Sequence, residues 1–218
     1  MICAAGEDAF TRPRHCRKKR TAYICPMFKT INDYISRCTY ISPEELEYFN
    51  SVLEYRQVPR KTILLHEGEI CHFEAYIIKG CIRTYYIDDK GIEVTLQFAI
   101  EDWWVSDIAS FHDHTPSSMF IETLEDCELL TLNPQTKETL LAKVPKMERV
   151  FRLMVQRNLS VLQGRLFKTI ATSATDKYLD FIKRYPTIPQ RVAQHYIASY
   201  LGISPEFLSK IRTRLAKK

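Results

Sequence analysis

Glu206, Ser209 and Lys210 stand three and four positions apart near the end of the given sequence. Positions i, i+3 and i+4 share one face of a helix, so these three side chains would project together. A glutamate can accept a hydrogen bond from a cytosine amine, and a lysine can donate to guanine O6 or N7 or to a phosphate. The spacing therefore predicts hydrogen bonding to base edges in the major groove of DNA.

Five further residues of the same segment extend this surface. Ser204 and Pro205 mark the predicted start of the helix, because serine is a strong N-cap and proline is favoured at the first helical position. Thr213 lies on the polar face, and Arg212 and Arg214 stand near the helix end, where they would meet phosphates. The alternative interpretation is an ordinary helical hairpin with a solvated basic face.

Two short helices must position this face. Gly202 separates them, since a left-handed residue at a helix end suits glycine. The apolar residues that recur at helical spacing on the two inner faces are Ile197, Ala198, Leu201, Leu208, Ile211 and Leu215. The pattern predicts a helix-turn-helix. The given sequence continues for three residues after Leu215, so we expect no β-hairpin wing behind the second helix.

Composition and charge indicate which classes of protein to consider. The 218 residues are 45% apolar and 26% charged, which excludes a disordered chain. The net charge of +5 is unevenly distributed: residues 1–26 carry six Lys/Arg against two acids, and residues 177–218 carry nine against two. A basic C-terminal region with a helix-turn-helix favours nucleic acid as the partner.

Neither a membrane span nor a disulfide framework is predicted. No apolar run approaches the ~20 residues that a transmembrane helix needs, and the N-terminal region lacks the apolar core of a signal peptide, so we expect a cytoplasmic protein. The seven cysteines contain no C-x-x-C pair. Reduced thiols are therefore the expected state.

The rest of the chain divides into four predicted regions. Residues 1–26 are either a flexible basic arm or lie upstream of the true start. Residues 27–143 begin with two short helices, the second capped by Ser42, and continue from Tyr55 to about Leu132 as short strands with a hairpin turn at 88–91. This pattern predicts an antiparallel roll or barrel. Residues 144–171 and 172–218 are predicted to be helical.

The helix predicted from Pro145 to about Ile170 has two apolar stripes, which implies two packing partners. The residues assigned to its pairing surfaces are Val150, Met154, Val155, Leu159, Leu162 and Leu166. We expect this helix to pack on its own roll and to dimerise with a second copy of the chain. The alternative is a core helix that a single chain buries. Ser173 or Thr175 is expected to cap the next helix.

In this order of elements, the chain from about residue 27 resembles the Crp/Fnr family of bacterial transcription regulators. The segment LLHEGEICHFEAYIIKG looks like the family's cyclic-nucleotide-binding-type roll, and Pro205–Lys210 resembles its Glu-Thr-Val-Ser-Arg-type recognition helix. The resemblance implies an α+β fold: an antiparallel β-roll, a long dimerisation helix and an all-α helix-turn-helix domain, winged-helix-like with the wing apparently missing. It also implies a homodimer that binds a near-palindromic operator in double-stranded DNA, with RNA polymerase as a further partner.

The resemblance is weaker where the family binds a cyclic nucleotide through Gly-Glu and Arg-Ser/Thr. Val105 and Ser106 stand where Gly-Glu is expected, and Ser117 replaces the arginine before Ser118. Without a guanidinium, a buried phosphate loses about 1.5–3 kcal/mol, so we expect no tight cyclic AMP binding. The effector-pocket residues that this match suggests are Trp103, Trp104, Ser106, Asp107, Ser117 and Ser118. For the two tryptophans, packing is the favoured role.

Three alternatives stay open at this point. A ligand-binding roll could sense a cyclic nucleotide or a redox signal, but Cys3, Cys16, Cys25 and Cys38 are too widely spaced to resemble an iron–sulfur motif. A haem ligand among the histidines is no better supported. A metal-dependent cupin-type enzyme is the remote alternative, because His112-x-His114 with Glu122 downstream offers two imidazoles and a carboxylate. Asp113, Thr115 and Pro116 indicate a loop there, however, and a histidine pair on a loop is more often solvated. The sequence thus predicts a regulator without cofactor or metal rather than an enzyme.

Overall fold

The computed structural model describes residues 28–217, and its first half contains eight strands that form an antiparallel roll. The strands are β1 Glu54–Val58, β2 Ile63–Leu65, β3 Glu74–Lys79, β4 Ile82–Ile87, β5 Glu93–Ala99, β6 Trp104–Val105, β7 Phe120–Thr123 and β8 Cys127–Leu132. They form two four-stranded sheets, in the orders β1-β8-β3-β6 and β2-β7-β4-β5. The predicted turn at 88–91 joins β4 to β5.

Alternation along the strands separates the inside of the roll from its outside. Ile77, Ile121 and Leu129 belong to one buried apolar cluster between the sheets. On β4, Ile82 points into that cluster, whereas Arg83 points outward, because successive side chains of a strand face opposite sides. The outer face of the second sheet is therefore available to other elements of the chain.

Four helices accompany the roll, two of which were predicted. These two are α1 Lys29–Cys38 and α2 Pro43–Val52, the latter begun by a capping box between Ser42 and Glu45. The other two, α3 Ile108–Asp113 and α4 Pro134–Lys143, were not predicted. His112 and Asp113 thus lie in the last turn of α3 rather than in a loop.

The long helix α5 spans Met147–Ala171 and starts two residues later than predicted. Its N-terminal half is buried in a cluster with Tyr76, Trp104 and Leu130 of the first sheet. In its C-terminal half, most of the apolar side chains from Val155 to Ile170 are exposed.

Four helices complete the described chain: α6 Ala174–Arg184, α7 Ile188–Arg191, α8 Gln194–Leu201 and α9 Pro205–Ala216. Ser173 rather than Thr175 caps α6, since its hydroxyl accepts from the N–H of Asp176. The four-residue helix α7 was not predicted. The α+β fold is confirmed. Within residues 28–217, no helix is both long and apolar enough to cross a bilayer.

Candidate nucleic-acid interface

The turn between α8 and α9 has the predicted geometry. Gly202 is left-handed at φ 67°, and the N–H groups of Gly202 and Ile203 donate to the carbonyls of Ser199 and Ala198, both at 3.1 Å. This pair of bonds is a Schellman motif, which satisfies carbonyls that the end of a helix leaves free. The six predicted apolar residues pack between the two helices, all buried except the half-buried Leu215.

The start of α9 uses the predicted cap. The hydroxyl of Ser204 accepts from the N–H of Phe207 at 3.2 Å, and Pro205 occupies the first turn. The pKa of the Glu206 carboxyl is lowered by a hydrogen bond from its own backbone N–H, with smaller contributions from Ser204 and Lys210. Glu206 is therefore held as an anion at the helix N-terminus, where the helix dipole favours negative charge.

The outward face of α9 is exposed to solvent. The predicted contact residues on this face that are exposed are Ser204, Pro205, Glu206, Ser209, Lys210, Thr213 and Arg214, whereas Arg212 is half-buried. The Thr213 hydroxyl donates to the Ser209 carbonyl at 3.0 Å and keeps its lone pairs available. The structure therefore brings the predicted polar residues together on one accessible surface.

Phe207 also belongs to this surface and was missed by the sequence analysis. Its ring is 45% exposed although it is a large apolar side chain. Its position outside the buried stripe of Leu208, Ile211 and Leu215 was the signal available in the sequence. An exposed ring at this position is suited to contact a thymine methyl group.

The opposite face of this unit packs on the roll. The Ser199 hydroxyl of α8 donates to the Glu93 carbonyl at 2.8 Å and accepts from the N–H of Thr95 at 2.9 Å. The guanidinium of Arg83 lies 4.0 Å from the ring centroid of Tyr196 and 3.9 Å from that of Tyr85. Hydrogen bonds and a cation–π contact thus hold α8 against the outer face of β4 and β5.

Two carboxylates add to the binding of Arg83. Its Nη2 lies 2.6 Å from oxygens of both Glu93 and Glu122, and its side chain is 3% exposed. The pKa of Arg83 is raised, since these two carboxylates outweigh the burial that alone would lower it. A charge buried so far requires such partners, because an unpaired one would be costly to desolvate.

Arg191 of α7 makes a second junction between the unit and the roll. Its guanidinium donates to Glu101 at 2.7 and 2.8 Å and to Glu125 at 2.6 Å. These hydrogen bonds raise the pKa of Arg191. The pKa of Glu101 is lowered, because the bonds from Arg191 and from the Gly80 N–H outweigh its burial. This fork joins α7 to two loops of the roll.

The cassette residues of the roll, 106–118, are engaged with one another. The Ser117 hydroxyl donates to Asp107 Oδ2 at 2.7 Å, and both residues are buried. Asp107 Oδ1 accepts from the Ser110 N–H at 3.2 Å and so caps α3. Ser106 donates to the Phe73 carbonyl, while Ser118 is exposed. The carboxylate that Ser117 contacts is therefore that of Asp107, which follows the Val105–Ser106 pair in the chain.

The two predicted tryptophans contact aromatic residues that lie outside the cassette. Trp104 packs edge-on against Tyr76 and Phe151, with ring centroids 5.5 and 5.9 Å apart. Trp103 lies 6.0 Å from Tyr185 and under the guanidinium of Arg157. Both rings therefore serve helix packing, the role favoured from the sequence. Of the six predicted pocket residues, the structure joins Asp107 and Ser117 by a hydrogen bond and places the two tryptophans against helices.

The predicted pairing residues of α5 divide into two sets. Val150 and Met154 are buried against the roll of their own chain. The exposed set consists of Val155, Leu159, Leu162 and Leu166, and Phe167 and Ile170 continue it. Leu166 is 62% exposed and Ile170 79%, which is unusual for large apolar side chains. No side chain of residues 28–217 covers this stripe.

The last candidates for a functional site are side chains that could ligate a metal or act as nucleophiles. Within residues 28–217, no group of three or more His, Cys, Asp or Glu side chains could hold a metal ion. Cys38, Cys71, Cys81 and Cys127 are free thiols, and burial raises the pKa of Cys127 to about 11. A thiol with a raised pKa is a weak nucleophile and metal ligand. The remaining cysteines lie outside the described residues.

Both the sequence and the fold of this chain are similar to those of known proteins. Residues 55–144 match the family model described as cyclic nucleotide-binding domain. The cAMP-activated global transcriptional regulator CRP of Escherichia coli O6:H1 is 24% identical over 179 residues, covering 76% of this chain and 84% of that protein.

Two solved structures resemble the fold. The c-di-GMP responsive global regulator CLP of Xanthomonas campestris superimposes with a TM-score of 0.66 at 16% identity, covering 81% of this chain and 92% of that one. FixK2 of Bradyrhizobium japonicum gives 0.65 at 13% identity, covering 76% and 85%. Over most of its length this chain is thus similar in sequence to the regulator CRP and in fold to CLP and FixK2.

Proposed function

We propose that this protein is a homodimeric regulator that binds a near-palindromic DNA sequence through α9. The observation that carries the proposal is the exposed face of α9, where Glu206, Ser209 and Lys210 project together beside Phe207. A helix that presents hydrogen-bonding side chains at i, i+3 and i+4 fits the major groove. The basic residues Arg212 and Arg214 at its far end are suited to phosphates.

Dimerisation is supported by the exposed stripe of α5. Leu159, Leu162 and Leu166 recur at helical spacing and face solvent within one chain. Burial of such side chains contributes about 1.5–3 kcal/mol each relative to full exposure, and a second α5 offers the same pattern. Two copies related by a two-fold axis would place their α9 helices about 34 Å apart, in successive major grooves.

We propose further that the roll does not bind cyclic AMP tightly. Residues 106–118 contain no arginine or lysine, and the buried carboxylate of Asp107 would stand close to an incoming phosphate. The Ser117 hydroxyl, which stands at the arginine position, is already bonded to Asp107. Calorimetric titration at micromolar cyclic AMP should give no saturable heat; saturable binding would contradict this part of the proposal.

Selection from randomised DNA tests the main proposal. The purified full chain should retain a two-fold-symmetric motif, since two copies read the two half-sites. A variant with Glu206→Ala and Lys210→Ala should lose that motif, because it removes base contacts worth about 1–3 kcal/mol each per half-site. Binding should weaken strongly with salt, as phosphate contacts release counterions.

A matched control makes the result specific to α9. Glu138→Ala with Lys143→Ala removes the same charges from the exposed surface of α4, which contacts α2 and α5 rather than α9. The control should retain the motif. If wild type retains DNA without any motif, or if both double variants lose it equally, α9 is not the reading helix.

A further inference from the structure

A cleft lies where the C-terminal half of α5 meets α6 and α8, and the cassette of the roll contributes no residue to it. It is small, with a cavity volume of about 30 Å³, and it opens to solvent. Its lining consists of Arg165, Lys168, Thr169, Lys177, Asp180, Phe181, Arg184, Tyr200 and Leu201. Four cations and one carboxylate therefore face the same small volume, and an excess of positive charge in a cleft attracts anions.

Two of the four cations are already committed to protein partners. Arg165 donates to the carbonyls of Leu96 and Thr95 in β5 and of Tyr200 in α8. Lys168 forms an ion pair with Asp180. The carboxylate of the cleft is thus neutralised by Lys168. Among residues 28–217, neither Lys177 nor Arg184 forms an ion pair with a carboxylate.

A second observation that points to a ligand is an unsatisfied hydrogen-bond donor on Arg184. Its Nη1 is buried and has no hydrogen-bond partner within the described chain. A buried donor without an acceptor costs about 1–3 kcal/mol, more when it is charged. Gly164 of α5 faces this guanidinium, and a Cβ placed there would lie 3.8 Å from Arg184 Nη2. Because Gly164 has no side chain, the guanidinium of Arg184 can lie against the surface of α5 at this point.

We propose that this cleft binds a phosphate group, with Arg184 as the bidentate donor and Lys177 as the second cation. The planar fork of a guanidinium matches two phosphate oxygens, and a lysine adds a point charge without fixed geometry. A phosphate bound here touches both the long helix and the helix-turn-helix unit. The group is carried either by a small phosphorylated metabolite or by the DNA backbone.

Pyrophosphate titrated into the full chain tests the site directly, without DNA. At ionic strength held constant with sodium chloride, calorimetry should show saturable binding of one pyrophosphate per chain. Lys177→Gln with Arg184→Gln should weaken it at least about tenfold, because a charge-assisted contact contributes about 1.5–3 kcal/mol. Arg184→Lys should lose part of the affinity, because it keeps the charge and removes the fork.

Lys183→Gln is the matched control. Lys183 precedes Arg184 on α6, is exposed, and does not line the cleft. It should bind pyrophosphate as wild type does, and the melting temperature of each variant shows whether it is folded. Absence of saturable binding to wild type, or equal weakening by Lys183→Gln, overturns the proposal.

DNA binding distinguishes the two sources of the phosphate. If the double variant binds DNA with an unchanged slope of log K against log salt, the ligand is a free phosphorylated molecule. If the slope falls by about one per lost phosphate contact, the cleft holds the DNA backbone. Since pyrophosphate binding is measured on the free protein, failure of the main proposal for α9 leaves this test intact.

Discussion

Positive charge is used differently on the two sides of the helix-turn-helix unit. At the junction with the roll, Arg83 of β4 and Arg191 of α7 are held by carboxylates at 2.6–2.8 Å. On the outward face, Lys210 and Arg214 are exposed to solvent. A cation surrounded by protein acceptors is committed to holding the fold, whereas an exposed cation is available to a phosphate or a base. The distinction cannot be made from residue type, because both faces are basic.

A substitution at the junction with the roll should cause the largest loss in the free energy of unfolding. Arg83→Met removes the guanidinium from between Tyr85 and Tyr196 and leaves Glu122, whose side chain is 12% exposed, without its partner. Breaking a buried ion pair on one side costs about 3–5 kcal/mol. Urea denaturation measures this loss. Lys79→Met, an exposed position on β3, is the control and should change the free energy of unfolding by less than about 0.5 kcal/mol.

The outward face should affect binding rather than stability. Lys210→Ala should weaken binding to the selected DNA by about 1–3 kcal/mol and relax the preference at one base pair, with little change in the free energy of unfolding. Lys210→Arg should strengthen a preference for guanine at that pair, because arginine binds O6 and N7 together. Fluorescence anisotropy on the selected site and its single-base variants measures both. Equal weakening on every sequence would instead assign Lys210 to a phosphate.

A pair of serines compares the two faces with the same substitution. Ser199→Ala should lower the free energy of unfolding by about 1–2 kcal/mol, since the N–H of the fully buried Thr95 loses its acceptor. Ser209→Ala on the outward face of α9 should stay within about 0.5 kcal/mol. Thermal and urea unfolding of both variants checks this. A similar loss in both would show that the contact with β5 contributes little.

The smallest expected effect is a dependence on pH. Burial would raise the pKa of Glu101, but hydrogen bonds from Arg191 and the Gly80 N–H lower it below its ordinary 4.5. A lowered folded-state pKa gives stability that is fully present above the unfolded value and lost as pH falls through the folded value. Arg191→Gln should therefore cost stability at neutral pH and progressively less below pH 4.5.

Urea denaturation of wild type and Arg191→Gln at each pH gives the difference between their free energies of unfolding. Other carboxylates that titrate in the same range contribute equally to both proteins and drop out of this difference. If the difference between the two proteins is the same at neutral and acidic pH, the fork from Arg191 is not what lowers the pKa of Glu101.

Local signals predicted much of this molecule. The helix-turn-helix followed from its apolar spacing, Gly202 and the start at Ser204, because each acts through residues within one or two turns. The helices α3 and α7 were missed, since six and four residues are too few to show periodicity. Asn133 before Pro134 was a usable signal for α4, because asparagine caps and proline begins helices.

The docking of the unit on the roll had no signal in the sequence. Arg83 and Tyr196 come together from β4 and α8, and a solvated arginine on an outward strand position looks the same as a buried one. The partner of Ser117 had no signal in the sequence for a related reason. Only the fold brings Ser117 to Asp107, and a serine position in the sequence does not identify its partner.

The hydrogen bonds of Arg165 restrict rotation of the long helix α5 about its own axis. Its three bonds reach β5 and α8 from a single side chain, so α5 cannot turn about its own axis without dragging or breaking them. An α-helix turns 100° per residue, so even a one-residue rotation would carry this guanidinium far from its carbonyls. Rotation of α5 about its axis is thereby coupled to the positions of β5 and α8, which hold the acceptors of Arg165.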